Sequence, residues 1–104
     1  MARYDVYAHP DATQRKITPF LLDVQNDYIN SLDSRVVIPM RSAANYPHPM
    51  RDLNPAFEVD GKAVVLDTAA LAAFPARELK KRVAGLQDQR EHIVAAMDCL
   101  FGAY

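Results

Sequence analysis

The chain is poor in cysteine and glycine, has no long apolar run and carries almost no excess charge. One cysteine, Cys99, excludes an internal disulfide and a cysteine-rich metal site. Of the three glycines, Gly61 sits in a turn setting, and no glycine-rich loop is present to cradle a phosphate. No stretch of about 18 apolar residues occurs, so no membrane-spanning helix is expected. The opening Met1-Ala2-Arg3-Tyr4-Asp5 lacks the apolar core of a signal peptide, and the expected location is the cytoplasm. A formal net charge of −1 removes bulk electrostatic attraction to nucleic acid as a driving force. At 104 residues the expectation is one domain, residues 1–104, large enough to bury a core.

What is present reads mainly as short strands. Tyr4, Val6 and Ala8 alternate with Arg3, Asp5 and Tyr7, the period of a half-buried strand. Residues 9–16 are polar, contain Pro10 and read as an exposed loop tip. Phe20, Leu22 and Val24 would face one way on the next strand, with Leu21, Asp23 and Gln25 opposite. A turn-like cluster covers residues 30–34. Val36-Val37-Ile38 suits a central strand, with Pro39 marking its end or a bulge. Pro47 and Pro49 keep the stretch 41–52 irregular. Asp60-Gly61 predicts a two-residue hairpin loop, with Phe57 opposite Val64 and Val59 opposite Lys62. Residues 69–73 read as a short helical turn capped by Thr68.

Pro75 suits the first turn of a helix predicted to run over residues 76–101. Leu79, Val83, Leu86, Ile93, Met97 and Leu100 would form its sheet-facing stripe, with Lys80, Lys81 and Arg82 on the solvated side. Gly85 weakens that helix by about 1 kcal/mol relative to alanine, which suits a close contact or a bend. From Ile93 onward the sequence is apolar nearly all round, with Asp98 the one charge. A single small sheet covers one side of such a segment, so the other side predicts a partner, most simply a second copy of the chain.

Little of the sequence points to bond-making chemistry. His9, His48 and His92 lack the paired spacing of metal ligands and read as surface histidines. Asp23 and Asp27 read as edge or turn carboxylates rather than an acid–base pair. Ser31, Ser34 and Ser42 stand in no nucleophile-elbow context, and Cys99 reads as a small buried hydrophobe. No catalytic residue, metal site or cofactor is therefore expected.

The order and spacing of Val6-Tyr7, Asp23-Val24-Gln25-Asn26-Asp27, Val37-Ile38-Pro39, Leu53-Asn54-Pro55, the Asp60-Gly61 hairpin, residues 68–75 and the terminal Leu100-Phe101 resemble the CcdB family. That resemblance spans residues 4–101. It implies a mainly β fold, an SH3-like barrel or strongly bent antiparallel sheet of the CcdB/MazF kind, with one C-terminal helix. It implies a homodimeric toxin that binds the A subunit of DNA gyrase and traps it on cleaved DNA. A CcdA-like antitoxin would neutralise it through a segment that folds on the dimer. Together they would repress their operon, with the antitoxin, not the toxin, reading DNA. Carried across by position, the gyrase contacts would be Leu100, Phe101, Gly102, Ala103 and Tyr104. The antitoxin contacts would be Tyr28, Ile29, Asp98 and Phe101, and the dimer contacts Met97, Leu100 and Phe101.

One departure stands out. Gyrase poisons of the family are similar in ending Trp-Gly-Ile after the phenylalanine, whereas this chain ends Gly102-Ala103-Tyr104. Either Tyr104 replaces the aromatic anchor two positions later, or the target differs, or activity is weak. Gly102 also suits a helix stop. Two alternatives follow. A MazF-type endoribonuclease would need a base beside cations such as Arg15, Lys16, Arg41 and Arg51, and no partnered base is evident. A non-toxic relative would bind antitoxin without harming gyrase.

Overall fold

The computed structural model describes residues 1–102. Seven strands form one curled antiparallel sheet, a half-barrel closed on one side by a single helix: β1 (Asp5–Ala8), β2 (Phe20–Asp23), β3 (Ser34–Ser42), β4 (Ala56–Val59), β5 (Lys62–Leu66), β6 (Ala72–Pro75), β7 (Arg82–Gly85) and α1 (Arg90–Phe101). The order across the sheet is β4-β5-β3-β2-β1-β7, and β6 pairs with β3 beside β5. The expected bent sheet with one C-terminal helix is what forms.

Strand β3 is the longest, nine residues, because it serves three neighbours. One edge takes β2 along residues 20–23. The other takes β6 against residues 34–37 and β5 against residues 40–42. Pro39 therefore neither ends the strand nor interrupts it. Its carbonyl accepts the Asp67 N–H (2.9 Å), so its missing N–H faces the gap between the β6-paired and β5-paired stretches, where no ladder bond is lost. The Asp60-Gly61 hairpin forms in the expected register, with φ of 51° and 75° at its two loop residues, the left-handed pair of a type I′ turn.

Residues 76–101 are not one helix. Only Arg90–Phe101 is α-helical. Residues 72–75 add a strand to β3, residues 82–85 add one to β1, and short 3-10 turns occupy Ala76–Glu78 and Gln87–Gln89. The physical reason is the sheet's second face. Val6, Leu22 and Ile38 point into the main core beneath α1, while Tyr7, Leu21 and Val37 point out of the opposite face. Leu79 and Phe74 cover that opposite face, and Leu86 returns to the main core. A continuous helix could cover only one of the two. Strands β1 and β2 are accordingly buried on both faces rather than half-buried. Lys80, Lys81 and Arg82 are exposed as expected, but on an extended segment and the edge strand β7.

Gly85 sits where β7 ends. A Cβ there would collide with the side chains of Gln87 and Arg82. Both of these reach the buried Asp5 carboxylate, Arg82 at 3.0 Å and Gln87 at 3.1 Å. The glycine thus allows the close contact its sequence position suggests. The turn after Asp67 is a 3-10 turn over Thr68–Ala70, shorter than expected, and Thr68 does not cap it. Its hydroxyl instead donates to the Leu53 carbonyl (2.5 Å). Beside it, Asn54 accepts the Met50 N–H (2.9 Å) and donates to the Leu66 carbonyl (3.0 Å), tying the irregular stretch to β5.

Candidate partner-binding surface

Helix α1 presents Ile93 and Ala96 to the core, with Met97 and Leu100 half-buried at its margin. These four follow i, i+3, i+4, i+7, one face of a helix. Val94 and Phe101, seven apart, lie on another stripe with Asp98 between them, and Phe101 is 68% exposed. Gly102 ends the helix in the left-handed region (φ 73°), its N–H donating to the Asp98 carbonyl. It acts as the helix stop its residue type suggests. Ala103 and Tyr104, both expected among the gyrase contacts, lie outside the described residues.

Tyr28 and Ile29 stand on a different element, the connection between β2 and β3. A 3-10 turn over Asp27–Ile29 carries them, opened by the Asn26 side chain accepting the Tyr28 N–H (3.0 Å). Tyr28 is 93% exposed, and Ile29 and Leu32 are exposed beside it. A lone exposed tyrosine is ordinary, but three exposed apolar side chains within five residues make a cluster of the kind that marks a candidate interaction site. Leu32 and Val94 are exposed apolar residues outside the expected contact set. An apolar residue inside the polar stretch 30–34 is the sequence signal for Leu32. The main neighbours of α1 are the turns at residues 68–70 and 87–89, so the two exposed apolar groups occupy separate supports.

Beneath the Tyr28 turn lies a polar network that sequence reasoning missed. Asp23 is neither an edge nor a turn carboxylate. It sits fully buried on β2 against Arg35 of β3, with 2.8 Å from Nε and 2.7 Å from Nη2 to its Oδ2. Asp23 lies opposite Val37 in the ladder, so Arg35, two residues along, is its diagonal neighbour. Burial pushes the Asp23 carboxyl above its ordinary range, and the hydrogen bond from Arg35 offsets this only in part. Asp5 shows the opposite balance: burial pushes it up, but hydrogen bonds from Gln87, Arg82 and Ala2 outweigh that and hold it low. Among the described residues every buried side-chain polar atom has a partner.

Groups with catalytic potential are scattered. His48 and His92 are exposed, whereas His9 is half-buried with its ring edge-on to Phe74 at 6.0 Å. Cys99 is half-buried. Arg41 is bound to Asp67 (3.0 Å) and Thr18 (2.6 Å), and Arg15 donates to the His9 carbonyl (2.6 Å). A cleft of about 390 Å³ holds Arg15, Lys16 and Lys62 with no carboxylate or imidazole in its lining. An adjoining cleft of about 290 Å³ places Glu78 with Arg15, Lys80 and Lys81. No group of three or more potential metal ligands occurs among the described residues, and no described helix is long and apolar enough to cross a membrane.

Residues 3–102 match the family described as CcdB protein, which is nearly the whole chain. The chain belongs to the CcdB family. No curated protein gives a significant match. The CcdB assignment agrees with the curled sheet and single terminal helix, and it places the exposed stripe of α1 and the Tyr28 turn on a fold whose family partners with antitoxins.

Proposed function

We propose that this CcdB-family chain is the toxin of a toxin–antitoxin module. It binds the A subunit of DNA gyrase, traps the enzyme on cleaved DNA, and makes or breaks no bond itself. A CcdA-like antitoxin neutralises it, and the pair represses its own operon, as in plasmid-maintenance modules. DNA is engaged only through the antitoxin. The observation that carries this reading is the uncovered apolar end of α1, Phe101 above all, on a fold of this family.

The binding logic is additive. Met97, Leu100 and Phe101 form the contact between two copies, which brings two helix ends together about a two-fold axis. A two-fold cavity between gyrase A subunits then receives both ends, with Leu100, Phe101, Gly102, Ala103 and Tyr104 as contacts. Each large apolar side chain buried there contributes roughly 1.5–3 kcal/mol. Tyr28, Ile29, Asp98 and Phe101 form the antitoxin surface, so antitoxin and gyrase compete for Phe101. The test is expression without antitoxin in cells carrying normal or toxin-resistant gyrase. Growth arrest confined to normal gyrase supports the proposal; equal growth in both rejects it. Deleting residues 102–104 should abolish killing while leaving a folded dimer, and a deletion that still kills removes the terminal anchor from the mechanism.

A second reading has one observation in its favour: Glu78 shares a cleft with Arg15, Lys80 and Lys81, a carboxylate among cations of the kind a MazF-type endoribonuclease would need. Incubation with RNA separates the two readings. A gyrase poison leaves RNA intact, whereas cleavage that disappears in Glu78→Gln supports the ribonuclease. A non-toxic, antitoxin-binding relative would bind antitoxin with no growth arrest in either strain.

A further inference from the structure

The turn that presents Tyr28 is tied down from beneath and free on top. Its outward side chains, Tyr28 and Ile29, are exposed. Its underside is held by residues from three other segments. Arg35, 1% exposed, reaches four partners within residues 23–30: Asp23, Asn30 Oδ1 (3.0 Å), the Gln25 carbonyl (3.5 Å) and Asp27 (3.5 Å). Gln25 spans the same gap, accepting the Val36 N–H (3.0 Å) and donating to the Ile29 carbonyl (3.2 Å). The Arg3 backbone N–H donates to Asp27 (2.9 Å). Closing a connection between two adjacent strands does not require a buried cation. Burying one is costly, and replacing such a pair by apolar side chains is often neutral or stabilising, so the pair is weakly explained by stability alone. What a planar guanidinium supplies is direction: its fork fixes several acceptors at once, which a lysine ammonium or an aliphatic chain does not.

We infer that Arg35 is a positioning residue for partner binding, holding the 26–30 turn so that Tyr28 and Ile29 are presented in a binding-ready shape before the partner arrives. The inference deepens the proposed antitoxin surface and rests on it. Preorganisation of this kind raises affinity by removing the ordering cost of the turn, with no contact between Arg35 and the partner. The Asp23 carboxylate acts through Arg35, fixing the guanidinium plane from the strand side.

The test uses two mild variants that leave Tyr28 and Ile29 in place. Arg35→Lys keeps a cation beside Asp23 but forfeits the fork to Asn30 and Gln25. Asn30→Ala removes one exposed acceptor and no core packing, so it folds even if Arg35→Lys does not. Arg41→Lys, at the separate Arg41–Asp67 pair, is the control for a general loss of stability. Amide exchange of Tyr28, Ile29 and Asn30 is measured in the free protein, and affinity is measured for a purified CcdA-like antitoxin. We expect exchange at these amides to rise at least about tenfold in Arg35→Lys, less in Asn30→Ala and not in the control, while Leu22 and Ile38 stay protected. Antitoxin affinity should fall in the same order, about tenfold for Arg35→Lys. Unchanged exchange, or loosened amides with wild-type affinity, overturns the inference. Failure of the wild-type chain to bind that antitoxin rejects the antitoxin surface itself and is seen before any variant is compared.

Discussion

Removing the Arg35 side chain would leave Asp23 as a buried carboxylate with its cationic partner gone. Arg35→Ala should therefore cost about 3–5 kcal/mol in a urea unfolding series, far more than a surface arginine. A cost below about 1 kcal/mol would mean that water reaches Asp23 in solution. Asp5, on β1 beside β2, adds an acid-sensitive contribution to stability. Its carboxyl is held below the ordinary range, so the unfolded chain takes up this proton first as pH falls. Its contribution is complete above about pH 4 and is lost as pH drops through the lower folded-state value. Asp5→Asn should weaken the protein at neutral pH by roughly 1 kcal/mol, discounted because Arg82 is more than half exposed, and should flatten the acid arm of the stability profile. An unchanged acid arm would place the relevant proton elsewhere. The buried pair is not read from the sequence, where Asp23 passes for an edge or turn carboxylate; the signal that marks it is one charged residue inside each of two apolar strand sequences, Asp23 after Phe20-Leu21-Leu22 and Arg35 before Val36-Val37-Ile38. Pairing them needs the register, which depends on how the two strands align across the connection between them.

At the scale of elements, the two faces of α1 separate stability from binding. Ile93→Ala should cost about 2–5 kcal/mol through the cavity it opens beneath the sheet. Phe101→Ala should leave thermal unfolding of dilute protein within about 0.5 kcal/mol of wild type, yet abolish partner binding. A Phe101→Ala variant that unfolds readily would place the ring in the protein's own core. Local chemistry explains what the sequence reveals of these elements. The Asp60-Gly61 hairpin and its register are readable because a left-handed two-residue loop demands those residue types. The last helix is readable from Ile93 onward because its packing face is continuous. Upstream, Leu79, Val83 and Leu86 match helical spacing but are drawn to two different cores, so the same spacing arises from a strand and two turns crossing the sheet edge. Gly85 is the local sign of that break, although on helical spacing alone it reads as a weak point within a helix.

For the molecule as a whole, the curled sheet supplies cover for one side of α1, and the helix end and the Tyr28 turn are two of the apolar groups left exposed, with Ile17 and Met50 exposed singly elsewhere. Neither exposed group is explained by the fold of one copy. Sedimentation over a range of concentrations should show a dimer, with Leu100→Asp shifting it to a monomer of native circular dichroism; a wild-type chain that stays monomeric at micromolar concentration removes the two-fold arrangement. Family and fold are accessible from the spacing of short motifs. The most direct measurement is DNA cleavage by purified gyrase in the presence of the purified chain, read as linear plasmid after detergent and protease treatment. The account predicts linear DNA that accumulates with added wild-type protein, disappears with Phe101→Ala and is reversed by the antitoxin. Plasmid left uncleaved by a folded, dimeric wild-type protein would contradict it.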